Sequence, residues 1–234
     1  MHDTAREHGR RFFALYWQPH FCDVVEVGSQ DVNGGLRELA PPGVRYIGLD
    51  AVEGPGVDRL VRPGEPLPLA DASADVVLTS SAFEHDPCFW ETFVDMARVL
   101  RPGGLLYLNA PSNHAFHRYP VDCWRFYPDA APALAAWAGR CGQAMTLVES
   151  FVARPSAQGW SDFVAVFHKA GPALVRQGRL ADGSDSRNGF DVDAAGMLLR
   201  PQAETFDMAE HAALRDQLAA SALELAQAYR AIRE

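Results

Sequence analysis

The chain has 234 residues, 48% of them hydrophobic and 22% charged, a balance that suits one α/β domain with a full core plus an appendage. Its net charge of −9 disfavours nucleic acid or an anionic membrane as the main partner. No run approaches the roughly 20 apolar residues of a spanning helix. The polar start Met1–His8 lacks a signal-peptide core, and Cys22, Cys88, Cys123 and Cys141 form no C-x-x-C pair, so a reducing, cytoplasmic setting is expected.

In chain order, Thr4–Trp17 reads as a helix, with Phe12/Tyr16 and Phe13/Trp17 as i,i+4 aromatic pairs and Pro19 as its stop. Val24, Val25 and Val27 form a short buried strand that runs into the Gly-rich turn Gly28–Gly35. Leu36–Ala40 has helical character and ends at Pro41-Pro42. Val44–Leu49 is a second strand, closed by Asp50. Strand, glycine turn, helix, strand and acid in that order bind an adenosine-containing cofactor at the carboxyl ends of parallel strands. Gly28 and Gly34 let the backbone approach the ligand, and Asp50 can accept hydrogen bonds from both ribose hydroxyls. A dinucleotide site wants Gly-x-Gly-x-x-Gly to seat a pyrophosphate. Here Ser29, Gln30 and Asp31 follow Gly28, the second glycine is missing, and Asp31 would repel phosphate. Glu26 suits a cationic ligand end, which favours S-adenosylmethionine over NAD.

A short third strand is expected at Asp58–Arg62, and Pro63–Pro68 is a rigid, strand-breaking connection. Asp75–Ser81 is a fourth strand, almost continuously apolar as parallel strands are. Phe83–Pro87 forms the loop at its carboxyl end. A helix over Pro87–Leu100 and a strand over Leu105–Asn109 follow. Residues Ala110–Tyr127 are irregular and crowded with polar and aromatic groups. Helix Pro128–Gly139 leads to Gln143–Val152 and Phe163–Lys169, read as an antiparallel hairpin at the sheet edge. Three segments result: a domain over 1–169, a linker or loose arm over 170–203, and a C-terminal helix over 204–234. In that helix Leu218, Leu225 and Ile232 repeat every seven residues, which suits a homodimeric coiled-coil seam; docking on the domain competes with it.

Five motifs now stand in one order: Val25-Glu-Val-Gly28, Gly48-Leu-Asp50, Leu67–Val77, Phe83-Glu-His85 and Val99–Leu106. Together they resemble class I S-adenosylmethionine-dependent methyltransferases of the type 11 kind, over Phe21–Lys169. Gly28–Gly34, Gly54–Asp58 and Tyr119–Pro128 look like a bacterial subgroup found among sugar-polymer assembly proteins. The resemblance implies a Rossmann-like, seven-stranded, mostly parallel sheet with helices on both faces. It implies that Glu26, Gly28 and Gly34, with Ser29 beside them, line the methionine part of the cofactor and that Asp50 holds the ribose. Ala51 would pack against adenine, and Ser80 or Ser81 would offer backbone groups near the methyl. The family commonly carries an acid after the third strand for the adenine amine; Pro63 stands there, so Glu65 or a carbonyl near Leu67 is expected to substitute.

Methyl transfer to a neutral hydroxyl needs alignment and a base. His85, at the carboxyl end of the fourth strand, His117 and Asp122 are the candidate catalytic groups. His85 could equally cap its loop, and His117 and Asp122 could simply order theirs. His114, His117 and Asp122 lie in a loop with no cysteine, and no metal is expected there. The expected acceptor is a small-molecule or glycan-linked hydroxyl. The competing readings are a non-catalytic methyltransferase-like partner protein acting through the C-terminal helix and, less favoured, a nicotinamide-dependent oxidoreductase.

Overall fold

The computed structural model describes residues 2–113, 116–155, 159–194 and 199–233. They form two compact units, Met1–Pro201 and Gln202–Glu234. The first opens with α1 (Asp3–Tyr16), followed by β1 (Asp23–Val27), β2 (Arg45–Asp50), β3 (Arg59–Leu60) and β4 (Ala74–Ser80). Then come α2 (Phe89–Val99), β5 (Leu100–Pro111), α3 (Ala130–Arg140), β6 (Met145–Ala153), β7 (Asp162–Lys169) and β8 (Ser186–Asp191). The second unit is the single helix α4 (Phe206–Arg233).

The eight strands form one sheet in the order β3-β2-β1-β4-β5-β7-β6-β8. Pairing is parallel from β3 to β5 and antiparallel from β5 through β7 and β6 to β8. The chain leaves β1 toward β2 and β3, then returns to the other side of β1 for β4. That reversal is the topological switch point, where the crevice of an open α/β sheet lies. β4, at the centre, is buried at all seven positions. Alternation along the strands divides the core between two faces. Val24, Val76, Leu78, Tyr107, Val164 and Val166 pack beneath Phe12, Phe13 and Tyr16 of α1. On the opposite face Phe93 of α2 meets Phe167 of β7, ring centroids 4.9 Å apart.

Several expectations are corrected. The sheet has eight strands rather than seven, because the stretch read as a linker or loose arm supplies β8 along the outer edge of β6. Its polar composition conceals an anchor: the Arg176 guanidinium lies 2.8 Å from both carboxylate oxygens of the fully buried Asp191, and Glu149 on β6 accepts from the backbone N–H of Leu180 at 2.7 Å. Paired in this way, the buried charges offset their desolvation cost with charge-assisted hydrogen bonds. The β6–β7 hairpin therefore lies inside the sheet edge. The helix expected over Leu36–Ala40 is only a 3-10 turn, Arg37–Leu39. Five residues between Gly35 and Pro41 cannot repay the cost of nucleating an α-helix.

Candidate active site

At the carboxyl end of β1 the chain must reverse within one residue, and Gly28 does so at φ +82°. A Cβ there would lie 2.3 Å from Cβ of Ala82, at the tip of β4, so the two loops touch through bare backbone. The N–H groups of Gly28 and Ser29 both donate to the carbonyl of Leu49, at 2.9 and 3.0 Å, folding the turn over the tip of β2. Asp31 caps the turn by accepting from the N–H of Gly34 at 2.6 Å, and Gly34 itself takes φ +97°. Asp50 accepts from the N–H of Gln30 at 2.9 Å and of Val52 at 3.0 Å. Each carboxylate oxygen keeps a lone pair for a further donor. Glu26 is buried and accepts from the Tyr46 hydroxyl at 2.7 Å; burial pushes its carboxyl up to about 7.

Several side-chain oxygens near these strand tips, Ser29 Oγ, Ser80 Oγ and Ser81 Oγ, are buried without a protein partner. Ser81 also adopts φ +52°, rare for a residue with a Cβ, while its N–H is held by the carbonyl of Asn109 at 3.0 Å. Unpartnered polar atoms, a bare-backbone bend and two acids at adjacent strand tips fit a polar, cationic nucleoside better than a pyrophosphate. The structure thus gathers Glu26, Gly28, Ser29, Gly34, Asp50, Ser80 and Ser81 at one end of the sheet, with Ala51 exposed directly after Asp50.

The two residues expected to replace the adenine acid each have a protein contact already. Glu65 is exposed and pairs with Arg62 at 3.5 Å. The backbone of Leu67 is bound by α2: its N–H donates to Asp95 at 2.5 Å and its carbonyl accepts from Arg98 at 3.1 Å. That carbonyl keeps a second lone pair, and the Glu65 carboxylate is exposed with acceptor capacity to spare.

Beyond Ser81 a 3-10 turn, Phe83–His85, presents Glu84 and His85 toward the loop after β5. The carbonyl of Glu84 accepts from the N–H groups of Cys123 and Trp124 at 2.7 and 3.3 Å, and His85 Nδ1 lies 2.5 Å from the carbonyl of Val121. His85 and His117 meet edge to face, centroids 4.9 Å apart. His117 is set in place by Asp122, which accepts from its backbone N–H at 2.7 Å and lies 3.5 Å from its Nδ1. Arg125 grips both oxygens of Asp122, at 2.6 and 2.8 Å, and holds that carboxyl down at about 2. Burial lowers the pKa of His85 and raises that of Glu84 to about 8. At neutral pH the cluster therefore holds a neutral imidazole at His85, a largely protonated Glu84 and a firmly charged Asp122.

His85, His117 and Asp122 are thus brought together, though Asp122, paired with Arg125 and held at about 2, is a poor base in this setting. His114, weighed with them for metal binding, lies outside the described residues. Sequence reasoning passed over three groups. Glu84 is 1% exposed, and an acid inside Ala82-Phe-Glu-His85 was its only signal. Both amide atoms of the fully buried Asn109, in register with Ser80, lack protein partners. Gln30 receives the Tyr119 hydroxyl at 2.7 Å, a contact no local pattern announces.

Comparison with known proteins falls in line with this geometry. Residues 32–108 match the family model of a methyltransferase domain. The matched stretch begins after Gly28, Ser29 and Asp31 and runs through β2, β3 and β4 into β5, so it contains Gly34, Asp50, Ser80, Ser81 and His85 but not Glu26 or Gly28. Among solved structures, the 1,6-didemethyltoxoflavin-N1-methyltransferase of Burkholderia thailandensis, crystallised with S-adenosylhomocysteine, superimposes with a TM-score of 0.53. It is 18% identical, over 72% of this chain and 79% of that one. A SAM-dependent methyltransferase from Archaeoglobus fulgidus gives 0.54 at 14% identity, over 71% and 94% of the two chains. The fold is that of the S-adenosylmethionine-dependent methyltransferases. An uncharacterized methyltransferase of Mycobacterium bovis BCG is 37% identical over 124 residues, 46% of this chain and 46% of its own length. One of Mycobacterium ulcerans is 40% identical over 94 residues, 34% of this chain and 37% of its own. The chain spans less than half the length of these curated relatives.

Proposed function

We propose that the chain is an S-adenosylmethionine-dependent methyltransferase acting on a hydroxyl of a small or sugar-like acceptor. The observation that carries the reading is the bend at Gly28, flanked by buried Glu26 and by Asp50, with buried hydroxyls of Ser29, Ser80 and Ser81 that lack a protein partner at the same strand ends. Glu26 would face the ammonium end of the cofactor, Gly28 and Gly34 its methionine backbone, and Asp50 the ribose. Bound there, the cofactor supplies an electrophilic methyl on a sulfonium. Everything else is alignment and desolvation, for which preorganised groups are worth on the order of 7–11 kcal/mol. His85, kept neutral by burial, and His117 are the groups able to take a proton from the acceptor, while Asp122, locked by Arg125, orients His117. The exposed rings of Phe116 and Tyr119 would offer the acceptor an aromatic rim.

The methyl-donor reading is preferred to a nicotinamide one because Asp31 occupies the turn where a pyrophosphate would need bare N–H groups. Calorimetry with S-adenosylhomocysteine and with NAD tests this. Binding of the first at micromolar concentration and not of the second is expected; the reverse would remove the assignment. A chain that binds S-adenosylhomocysteine yet methylates none of a panel of sugars and phenols would favour the non-catalytic partner role. We also infer that α4 pairs with a second copy of itself. Leu218 and Leu225, seven residues apart on this 28-residue helix, support that reading.

A further inference from the structure

Among the described residues one group of side chains has the chemistry of a metal site. Glu84, His85 and His117 each offer one ligand atom, and these atoms all lie within 4.8 Å of one another. Three further observations point at a cation. Glu84 is 1% exposed, with Oε1 3.7 Å from His85 Nε2 and Oε2 without a protein partner. A buried carboxylate oxygen with no protein partner is costly to leave bare, and a cation is a species that would meet it. The two imidazoles also carry the outer support that metal-binding histidines require. Nδ1 of His85 lies 2.5 Å from the backbone carbonyl of Val121, and Nδ1 of His117 lies 3.5 Å from the Asp122 carboxylate. Such partners fix the tautomer and turn the other ring nitrogen toward the ion. Arg125, the nearest cation, is already committed bidentately to Asp122.

We propose that Glu84, His85 and His117 form a binding site for a divalent transition-metal ion, at the acceptor side of the crevice. Two imidazoles and one carboxylate suit zinc, cobalt or ferrous iron, and they leave coordination positions open for an outside oxygen. Closing the cluster to metal–ligand distances of about 2.0–2.2 Å needs side-chain movements of about an ångström. The site stands on its own geometry. Its use rests on the methyltransferase reading above: with metal bound, His85 and His117 serve as ligands rather than as the base, and the ion would hold an acceptor hydroxyl so that its proton passes to solvent more readily.

The test uses the full chain without a histidine tag, stripped with a chelator and titrated with cobalt chloride under visible absorption, with zinc as competitor. One equivalent of cobalt per chain, with a visible band displaced by zinc, is expected. Glu84→Gln and His117→Ala should each weaken cobalt binding at least about tenfold, while His211→Ala on α4 should leave it unchanged. His117 sits in a loop, so its substitution reports even if the buried Glu84→Gln protein does not fold. Absence of a band, or equal affinity in wild type and His117→Ala, would overturn the site. S-adenosylhomocysteine calorimetry on the same stripped protein keeps the two readings separate. Cofactor binding without cobalt binding overturns the metal site alone; cobalt binding without cofactor binding upholds it and overturns the methyltransferase reading.

Discussion

The hydroxyl of Tyr119 donates to Oε1 of Gln30 across 2.7 Å, although the two residues are 89 positions apart. One belongs to the loop after β5 and the other to the bend after β1. The bond joins the loop that carries His117 and Asp122 to the turn that carries Gly28, so the two ends of the crevice are held in register.

Tyr119→Phe removes this tie and nothing else of comparable size. A neutral hydrogen bond contributes about 0.5–1.5 kcal/mol, and Tyr119 is exposed, so the lower part of that range applies. Calorimetry should show S-adenosylhomocysteine binding weakened by about threefold, with a faster dissociation rate. An unchanged rate would detach the loop from cofactor retention.

Asp50→Ala should weaken S-adenosylhomocysteine binding by about 1–3 kcal/mol, the range for losing hydrogen bonds to a charged acceptor. Part of the loss would come through the bend, because Asp50 also holds the N–H of Gln30. Asp50→Asn, which keeps one acceptor oxygen, should recover part of the affinity. Equal dissociation constants for all three proteins would remove Asp50 from the site.

Gly28→Ala meets two obstacles, a left-handed backbone at φ +82° and the Ala82 methyl 2.3 Å away. A loss of about 1–3 kcal/mol is expected in denaturant titrations. Adding Ala82→Gly should relieve the contact and leave the backbone strain, so the double variant should recover only part of the loss. Full recovery would show the strain to be negligible.

The pH dependence of stability has a defined sign at Glu84. Burial raises its pKa from 4.5 in the open chain to about 8, so between those values the folded state holds more protons than the unfolded one. Its contribution is therefore complete below about pH 4.5 and is lost as pH rises through about 8. Asp122, lowered from 3.8 to about 2 by Arg125, behaves oppositely: its contribution is present above 3.8 and lost as pH falls toward 2. In chelator-containing buffer, Glu84→Gln should melt higher than wild type at pH 8.5 relative to the difference at pH 5. A difference that does not change with pH would contradict the buried carboxyl.

Removing residues 202–234 deletes α4. Sedimentation should move from dimer to monomer, while S-adenosylhomocysteine affinity stays as it was. A monomer both before and after truncation would reject pairing through Leu218 and Leu225.

Much of the first half of the chain could be read directly. The valines before Gly28 and the apolar run Val76–Leu78 announce parallel strands because both their faces are buried. The glycines and Asp50 mark the crevice because backbone chemistry at strand tips tolerates few residue types. β8 gave no such signal. Its sequence, Ser-Arg-Asn-Gly-Phe-Asp, is polar, and it is a strand only because β6 offers an open edge and Arg176 neutralises Asp191. The turn at Arg37–Leu39 departs from its sequence for the opposite reason: helical residues are present, but the space between Gly35 and Pro41 is too short for an α-helix.

The sequence by itself determined which stretches form the parallel strands, the bend at Gly28 and the acid that closes β2, since each rests on local rules of burial period and backbone freedom. Only the tertiary structure decided that Glu84, His85 and His117 come together. Their protonation and their approach to one another depend on a low-dielectric pocket closed by the loop after β5, and no spacing along the chain encodes how deeply a carboxyl will be buried.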